Sequence, residues 1–233
     1  MYIFYTPGIL QSLELPSDEA QHCMRVLRLK EGAEILLTDG KGFFYKAVIT
    51  LASPKHCKVE ILETIPQPLP WKNQIHIAIA PTKNMDRNEW FAEKSTETGI
   101  NQITFLNCRY SERKDIKPER IEKIMISAMK QSQKATLPQL QSMIDFNKFI
   151  TQDFNGQKFI AHCHPEEKIH LAKAYKKGEN VLILIGPEGD FSEEEVALAI
   201  KNGFQAVSLG ESRLRTETAA LVACQTIHVI FAS

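Results

Sequence analysis

One stretch of the sequence limits the possible folds more than any other: VLILIGPEGDFSEEE, residues 181–195. Its first five residues are branched and apolar, as in a strand that is buried on both faces of a parallel sheet. A turn with two glycines and a proline follows. Ser192 and Glu195, three residues apart, predict a capping box at the start of a helix. This strand–turn–helix unit is typical of an α/β fold, in which ligands bind at the carboxyl ends of the strands.

The chain from residue 71 onward continues this alternation of strand and helix. We predict further strands at 75–80, 103–106, 158–163 and 205–209, and further helices at 85–98, from Pro118 onward and at 216–231. The helix after Pro118 is predicted because its apolar residues recur with a period of 3.6. Gly99 and Gly203 should each end a helix, and Trp90 and Phe91 should lie in the core. Alternation of this kind predicts a parallel sheet covered by helices.

Residues 1–70 have a different pattern, in which short strands dominate. MYIFY, EILLTDGKGFFYKAVITLA and HCKVEIL are predicted strands, and DGKG at 39–42 is a plausible hairpin turn. One short helix, capped by Ser17, should interrupt them. The proline-rich IPQPLPW at 65–71 should be extended and serve as a linker. We therefore predict two domains, a small β-barrel at 1–70 and an α/β domain at 71–233.

Composition argues against several functional classes. The 28 basic and 28 acidic residues cancel, which disfavours a generally basic nucleic-acid coat but still allows a local patch. No apolar run reaches the length of a membrane span, and the first residues lack the features of a secretory signal. The five cysteines are scattered singly, as in a reducing cytoplasm, and form no zinc pattern. His162, Cys163 and His164 should lie on a strand, where neighbours point to opposite faces, so we expect a structural role and no metal.

The turn that follows residue 185 carries an unusual charge for a ligand site. Helix starts attract anions, yet this one is surrounded by five carboxylates: Glu188, Asp190, Glu193, Glu194 and Glu195. The common phosphate-binding fingerprints are also missing. A neutral or cationic ligand therefore fits better than a phosphate. S-adenosylmethionine meets this requirement, because it has a sulfonium and an ammonium group and no phosphate.

A second glycine turn lies in SLGESRLRTETAA, residues 208–220, again between a predicted strand and a predicted helix. Arg213 and Arg215 lie in this turn, with Glu217 close by. Two glycine turns at the ends of two strands, with arginine and glutamate side chains converging on them, predict one binding site.

Both turns resemble a known family. GPEGDFSEEE and LGESRLRTETAA are similar to motifs of the ribosomal RNA small subunit methyltransferase E family, in the SPOUT superfamily. MRVLRLKEG (24–32), PTKNMDRNEWFAEKSTETGI (81–100), CRYSERK (108–114) and KQSQKATLPQL (130–140) resemble its other blocks, so the resemblance covers nearly the whole chain. This chain differs from the usual family pattern at Asp190, where the family has glycine. It also differs at KQSQK, with Lys130 and Lys134, where the family has EQSxR.

The resemblance implies a PUA-like, RNA-binding β-barrel at 1–70 and a SPOUT methyltransferase α/β domain at 71–233 with a deep C-terminal trefoil knot. It also implies a homodimer that uses S-adenosylmethionine to methylate N3 of one uridine in 16S rRNA. We expect the protein in the cytoplasm, and both naked rRNA and the assembled 30S subunit stay open as its substrate. The apolar helix at 216–231 independently predicts burial in the core or against a partner. Two alternatives stay open: a SPOUT enzyme acting on guanine N1 of tRNA or a ribose 2′-hydroxyl, and a non-catalytic RNA-binding module. The intact glycine turns, Arg215 and Glu217 argue against the second.

The resemblance and the two turns together assign roles to residues. Arg215 would stabilise negative charge on the uracil oxygens, and Glu217 would orient that guanidinium or accept the N3 proton. RNA contacts are assigned to five basic residues, of which the first two should share one face of the first helix: Arg25, Arg28, Lys83, Arg109 and Arg113. The cofactor should contact ten residues: Ile185, Gly186, Pro187, Glu188, Gly189, Leu209, Gly210, Leu214, Arg215 and Thr218.

Overall fold

The computed structural model describes residues 1–53 and 56–232. They form two compact units. The first consists of Met1–Pro70 with Ile126–Leu137, and the second consists of Trp71–Met125 with the chain from Pro138 onward. The stretch 126–137 belongs to the first unit through backbone hydrogen bonds: Gly42 donates to the carbonyl of Ala135, and Leu137 donates to that of Gly40. The sequence does not predict this excursion of the chain.

The first unit is built on four strands: β1 (Ile3–Tyr5), β2 (Glu34–Thr38), β3 (Phe43–Ala52) and β4 (Cys57–Pro66). They form one sheet in chain order, in which β1 is parallel to β2 and the other pairs are antiparallel. The sheet curls, because two irregularities interrupt the β3–β4 register and the segment around Glu14 pairs with the start of β4. The predicted strands and the DGKG turn are confirmed. β4 runs into the predicted linker, where Ile65 and Pro66 pair with β3.

The helices of the first unit are short. α1 (Ile9–Ser12) is a single turn, and α2 (Ser17–Gln21) continues directly into a π-helical turn, His22–Val26. Pro16 occupies the N-cap position and Ser17 already lies inside α2, so the predicted Ser17 cap is wrong. Proline suits this boundary, since its fixed φ and missing N–H are tolerated at a helix start.

The helix ends before the second of the two predicted RNA-contacting arginines. Arg28 lies beyond the π-helical turn and has a φ of +55°, whereas Arg25 is inside it. The backbone N–H of Leu29 donates to the carbonyl of Cys23, which closes the helical segment around Arg28. The prediction that Arg25 and Arg28 share one helix face is therefore wrong.

The second unit contains a seven-stranded sheet. Its strands are β5 (Ile75–Ile79), β6 (Gln102–Asn107), β7 (Gln139–Asp145), β8 (Gln157–Ala161), β9 (Ile169–His170), β10 (Val181–Ile185) and β11 (Gln205–Ser208). The order is β7-β6-β5-β10-β8-β11-β9, and every neighbouring pair is parallel. β10 is buried along its whole length and pairs with β5 on one side and β8 on the other. The predicted α/β class and the buried central strand are confirmed.

Six helices complete the second unit and its connection to the first: α3 (Met85–Thr98), α4 (Pro118–Gln131), α5 (Phe146–Phe149), α6 (Leu171–Ala174), α7 (Glu193–Lys201) and α8 (Thr216–Ala232). The four long ones are confirmed predictions. α3 ends at Gly99, whose φ of +120° few other residues adopt. Among the residues that the structure describes, no helix is long and apolar enough to cross a membrane.

Three details of the second unit differ from the predictions. Trp90 was expected in the core, but its side chain is 39% exposed, because its neighbour Phe91 takes the buried position on α3. The predicted strand at 158–163 ends at Ala161. β7 and β9 were not predicted, since β7 (QLQSMID) is largely polar and β9 has only two residues.

A histidine in the middle of this sheet links its stability to pH. His76 lies in β5, is 5% exposed and has its Nε2 2.8 Å from the Thr104 hydroxyl. Burial lowers its pKa from 6.5 to about 4. The folded protein therefore keeps His76 neutral at pH values where the unfolded chain protonates it.

We predict that this histidine makes the free energy of unfolding fall as the pH drops from 6.5 towards 4. The contribution is fully present above pH 6.5 and is lost at about 1.4 kcal/mol per pH unit as acid is added. Urea unfolding at pH 7, 6 and 5 should show a steeper loss in the wild type than in His76→Gln, which removes the titrating group. Equal slopes in the two proteins would contradict the prediction, whatever their absolute stabilities.

Candidate functional site

A cleft of about 920 Å³ opens at the carboxyl ends of three adjacent strands, β8, β10 and β11. The segments that leave these strands line it at 161–165, 185–188 and 207–216. Arg87, Lys168, Asp190 and Ala219 complete the lining. The position agrees with the general rule for open α/β sheets, and the size suits a small ligand.

Eight of the ten residues predicted to contact a cofactor line this cleft: Ile185, Gly186, Pro187, Glu188, Leu209, Gly210, Leu214 and Arg215. Gly189 and Thr218 are outside the lining. Gly189 lies against Tyr110, since a Cβ on this glycine would come 3.2 Å from the Tyr110 Cβ. Thr218 is half-buried in the first turn of α8. The two glycine turns thus come together in one cleft, as the sequence predicted.

The turn after β10 folds back on a buried phenylalanine. A Cβ on Gly186 would lie 3.1 Å from the backbone nitrogen and the ring of Phe191, so no larger residue fits without movement. Phe191 is fully buried and packs against Phe146, with ring centroids 5.4 Å apart. In the other turn, Gly210 has a φ of +125°, a conformation that favours glycine. Both turns therefore present backbone rather than side chain to a ligand.

The acidic residues at the start of α7 make hydrogen bonds and an ion pair within the protein. Ser192 and Glu195 form the predicted capping box, and Glu195 also accepts a 2.8 Å hydrogen bond from the backbone N–H of Arg109. The Arg109 guanidinium lies 2.9 Å from Glu194. Backbone hydrogen bonding at the helix start, then the Ser192 hydroxyl and Arg109, lower the pKa of Glu194.

Only two of the five carboxylates expected to face a ligand line the cleft, Glu188 and Asp190. Glu193, Glu194 and Glu195 lie outside the lining, because a helix start with free N–H groups binds nearby carboxylates of its own chain. The cleft is in fact mixed in charge, with seven charged lining residues: Arg87, Lys168, Glu188, Asp190, Glu211, Arg213 and Arg215.

The predicted catalytic pair is not joined as expected. Arg215 is exposed and lines the cleft, whereas Glu217 is 7% exposed and lies behind it at the start of α8. Glu217 Oε1 is 3.7 Å from Nε of Arg87 on α3, and its Oε2 is buried without a hydrogen-bond partner. Within the described residues, Arg87 is thus the cationic neighbour of Glu217. Sequence reasoning missed Arg87, because no motif links it to a residue 130 positions further along the chain.

The residues of the second unit that are predicted to contact RNA lie on loops that are hydrogen-bonded to one another. Lys83 is exposed, its Nζ is 2.8 Å from Glu112, and its backbone N–H donates to Glu188. Arg113 donates to the carbonyls of Thr82 and Lys83, at 3.2 and 2.6 Å. The guanidinium of Arg113 therefore fastens the loop after β6 to the loop after β5. Lys83 and Arg109 keep solvent-exposed side chains.

The two remaining predicted RNA contacts lie in the first unit. Arg25 and Arg28 are both exposed there, Arg25 on the π-helical turn and Arg28 just beyond it.

The histidine-rich segment 162–164 lines the cleft. Because β8 ends at Ala161, these residues form a loop, and the expectation that they alternate along a strand is wrong. His162 is buried, and this burial, with Lys168 nearby, lowers its pKa. Among the described residues, no three histidine, cysteine or acidic side chains are grouped so as to hold a metal ion.

Comparisons with known proteins agree over both units. The model of the RNA methyltransferase domain matches residues 69–228, and that of the RNA methyltransferase PUA domain matches residues 15–62. A ribosomal RNA small subunit methyltransferase E from Synechocystis sp. is 30% identical over 235 residues, which cover 95% of this chain and 74% of the relative.

Solved structures agree as well. A probable rRNA methyltransferase from Porphyromonas gingivalis superposes with a TM-score of 0.95 at 47% identity, covering 100% of this chain and 99% of that one. A ribosomal RNA small subunit methyltransferase E from Neisseria gonorrhoeae, bound to S-adenosyl methionine, superposes with a TM-score of 0.85 at 27% identity, covering 99% and 98%.

We predict that Glu195→Ala destabilises the protein far more than Glu193→Ala does. Glu195 is 8% exposed and accepts hydrogen bonds from two backbone N–H groups, those of Ser192 and Arg109. Its loss should lower the free energy of unfolding by about 2–3 kcal/mol, since both donors are left unsatisfied. Glu193, exposed in the same turn, should change it by less than about 0.5 kcal/mol. Urea titrations that give equal losses for the two variants would refute the structural role of Glu195.

Proposed function

This chain belongs to the ribosomal RNA small subunit methyltransferase E family, and we propose that it methylates N3 of one uridine in 16S rRNA. It is an RNA methyltransferase that uses S-adenosylmethionine. The observation that carries the proposal is the cleft between β8, β10 and β11, which brings eight of the ten predicted cofactor residues together. The uridine and its N3 atom come from the family resemblance, and the cleft supplies the chemistry that such a reaction needs.

The lining of the cleft supports S-adenosylmethionine as its ligand. Gly210 has open space where a Cβ would be and lets an adenosine approach the backbone closely, where N–H and C=O groups distinguish its polar edge; Gly186 lets its turn pack on Phe191. The mixed charge of the lining suits a zwitterion: carboxylates such as Glu188 can pair with an ammonium, and cations such as Lys168 can pair with a carboxylate.

Arg215 is the proposed stabiliser of the transition state. When bound, S-adenosylmethionine supplies an electrophilic methyl group on its sulfonium sulfur. Uracil N3 would lose its proton to water, which leaves negative charge on the uracil oxygens. N3 would then bond to the methyl carbon while the carbon–sulfur bond breaks and the sulfur leaves as a neutral thioether. The Arg215 guanidinium, exposed in the cleft, can donate two hydrogen bonds to those oxygens without losing its own charge.

Glu217 acts through an arginine other than the one first assigned. Its Oε1 lies beside Arg87, which itself lines the cleft, so we propose that Glu217 orients Arg87 towards the substrate. The alternative role that we propose is acceptance of the N3 proton, directly or through water, by its other oxygen, which is buried without a hydrogen-bond partner. We favour orientation as the main role, because a neighbouring guanidinium lowers the basicity of a carboxylate.

RNA contacts are proposed for the exposed basic residues of both units: Arg25, Arg28, Lys83 and Arg109. Their side chains reach solvent and can contact phosphates. Arg113 contributes indirectly, because its guanidinium is already bonded to two backbone carbonyls of the neighbouring loop. We place the enzyme in the cytoplasm, with 16S rRNA in the 30S subunit as its substrate.

The trefoil knot and the homodimer that the family implies are part of the same proposal. The insertion of β10 between β5 and β8, strands that precede it in the chain, is compatible with a knotted path. α8 buries Ala220, Ala223, Cys224 and Ile227 inside its own unit. Its other face keeps apolar side chains in contact with solvent, and Val229 is 57% exposed. That face supports burial against a second copy.

We predict that the wild type scatters light as a dimer at micromolar concentration and that Val229→Asp is a monomer. A carboxylate placed in an apolar interface would remain unpaired, which is costly. Val26→Asp is the matched control and should remain a dimer, because Val26 is 67% exposed and lies in the first unit. A wild-type monomer with full activity would contradict the dimer.

We predict that methyl transfer to 30S particles yields 3-methyluridine in 16S rRNA and depends on Arg215. Arg215→Ala should lower kcat by about 10²–10³-fold, the usual cost of losing one donor to a developing oxyanion. Its deficit should shrink at high pH, where N3 loses its proton unaided. Radiolabelled transfer followed by nucleoside analysis measures both.

Arg213→Ala is the control for this experiment, since Arg213 lies in the same turn and also lines the cleft. It should lower kcat by less than tenfold. Calorimetry should show S-adenosylmethionine binding unchanged in Arg215→Ala. Label in a 2′-O-methyl ribose, or transfer to a guanine of added tRNA in place of the 30S particles, would replace the uridine assignment. An intact kcat in Arg215→Ala would remove Arg215 from the chemistry.

A further inference from the structure

Asp190 has a backbone conformation that other residues avoid. Its φ is +66°, in the left-handed region where glycine is favoured and aspartate is one of the few side chains tolerated. Its N–H donates to the carbonyl of Pro187, which closes the tight turn after β10. A non-glycine residue in such a conformation indicates that its side chain has a purpose at this site.

The side chain joins two loops. One carboxylate oxygen accepts a 2.7 Å hydrogen bond from the backbone N–H of Cys163, in the loop after β8. The other accepts a 2.8 Å hydrogen bond from the backbone N–H of Phe191, in its own turn. Hydrogen bonds of this kind are strong, because the acceptor is charged. The carboxylate thus links the loop after β8 to the turn after β10.

Both linked segments line the cleft, and one of them is anchored in the hydrophobic core. Phe191 is fully buried, so the turn that carries Asp190 is anchored in the core. The loop after β8 has no such apolar anchor at Cys163, which is exposed. A second bond reinforces the link, since the ring of His164 donates from Nε2 to the carbonyl of Phe191 at 2.8 Å. Asp190 and Phe191 therefore hold Cys163 and His164 from the side of the turn after β10, while buried His162 and the bond from Lys168 to the His164 carbonyl hold the loop from its own side.

We propose that Asp190 is a positioning residue that sets the width of the cofactor cleft by fastening the loop after β8 to the turn after β10. Asp190 itself need not react. It acts through the backbone of residues 162–164, which lines the cleft beside the turn that carries Gly186 and Asp190. The link between the loops is independent of the ligand, but its importance for S-adenosylmethionine rests on the proposed function.

Cys163 provides a local probe of this link. It is the one exposed cysteine of five, and its own N–H is the group that Asp190 holds. Its alkylation by N-ethylmaleimide, without cofactor, reports how freely the loop after β8 moves. Cys163→Ser supplies the background rate of the four buried thiols.

Two substitutions test the proposal. Asp190→Gly suits the backbone conformation and removes both hydrogen bonds. Asp190→Asn keeps the size of the side chain but places its amide donor against a backbone N–H donor. Both should speed alkylation of Cys163 and raise the KM for S-adenosylmethionine by about tenfold, as expected for one lost charge-assisted hydrogen bond. The kcat at saturating cofactor and the KM for 30S particles should stay within about threefold of the wild-type values. The midpoint of thermal unfolding of Asp190→Gly should change little, because glycine relieves the backbone strain.

The matched control is Glu193→Gln, which removes an exposed carboxylate three residues away that holds neither loop. In this variant Cys163 should be alkylated at the wild-type rate, and the KM for S-adenosylmethionine should equal that of the wild type. Wild-type alkylation rates in both Asp190 variants would overturn the link, and faster alkylation with an unchanged KM would overturn its role in positioning. If the wild type itself fails to bind S-adenosylmethionine, the proposed function fails, while the alkylation comparison still decides whether Asp190 holds the loop.

Discussion

The hydrogen bonds that hold β10 in the middle of the parallel sheet are the constraint on which the site depends. All five of its residues are buried, and each is in register with β5 on one side and β8 on the other. A strand paired along both edges cannot shift by a residue without breaking the backbone hydrogen bonds to both neighbours at once. The turn after β10 therefore has a fixed position, beside the loop after β8.

Around that fixed point, the loops are joined by charges that satisfy one another. Glu188 accepts the backbone N–H of Lys83, and Glu195 accepts that of Arg109. Arg113 donates to two carbonyls of the loop after β5. The segments after β5, β6 and β10 are thereby bonded to each other, in addition to their contacts with the core through Ala80, Cys108 and Phe191. The abundant acid at the start of α7 is explained by this framework and by the helix cap, and the ligand meets a cleft of mixed charge.

Local patterns in the sequence predicted the fold well where a few neighbouring residues decide the outcome. The capping box of Ser192 and Glu195, the stop of α3 at Gly99 and the buried run of β10 are cases of this kind. Predictions failed where distant parts of the chain decide. Arg87 meets Glu217 through the packing of α3 on α8, and the end of β8 at Ala161 depends on the sheet around it. The glycine turns could be assigned to one site in advance, because the ends of parallel strands meet at one edge, but their partners across the cleft could not.

The central position of β10 also determines when the second unit can be completed during synthesis. Val181 pairs with Ile75, more than one hundred residues earlier in the chain. Until β10 has left the ribosome, β5 and β8 have no partner between them. The unpaired N–H and C=O groups along their edges are then open to other chains. Contacts between such distant residues form slowly, because a long loop must close before they are gained. A nascent chain that ends shortly before residue 181 would thus present two unpaired strand edges, the feature that makes incomplete domains prone to aggregate.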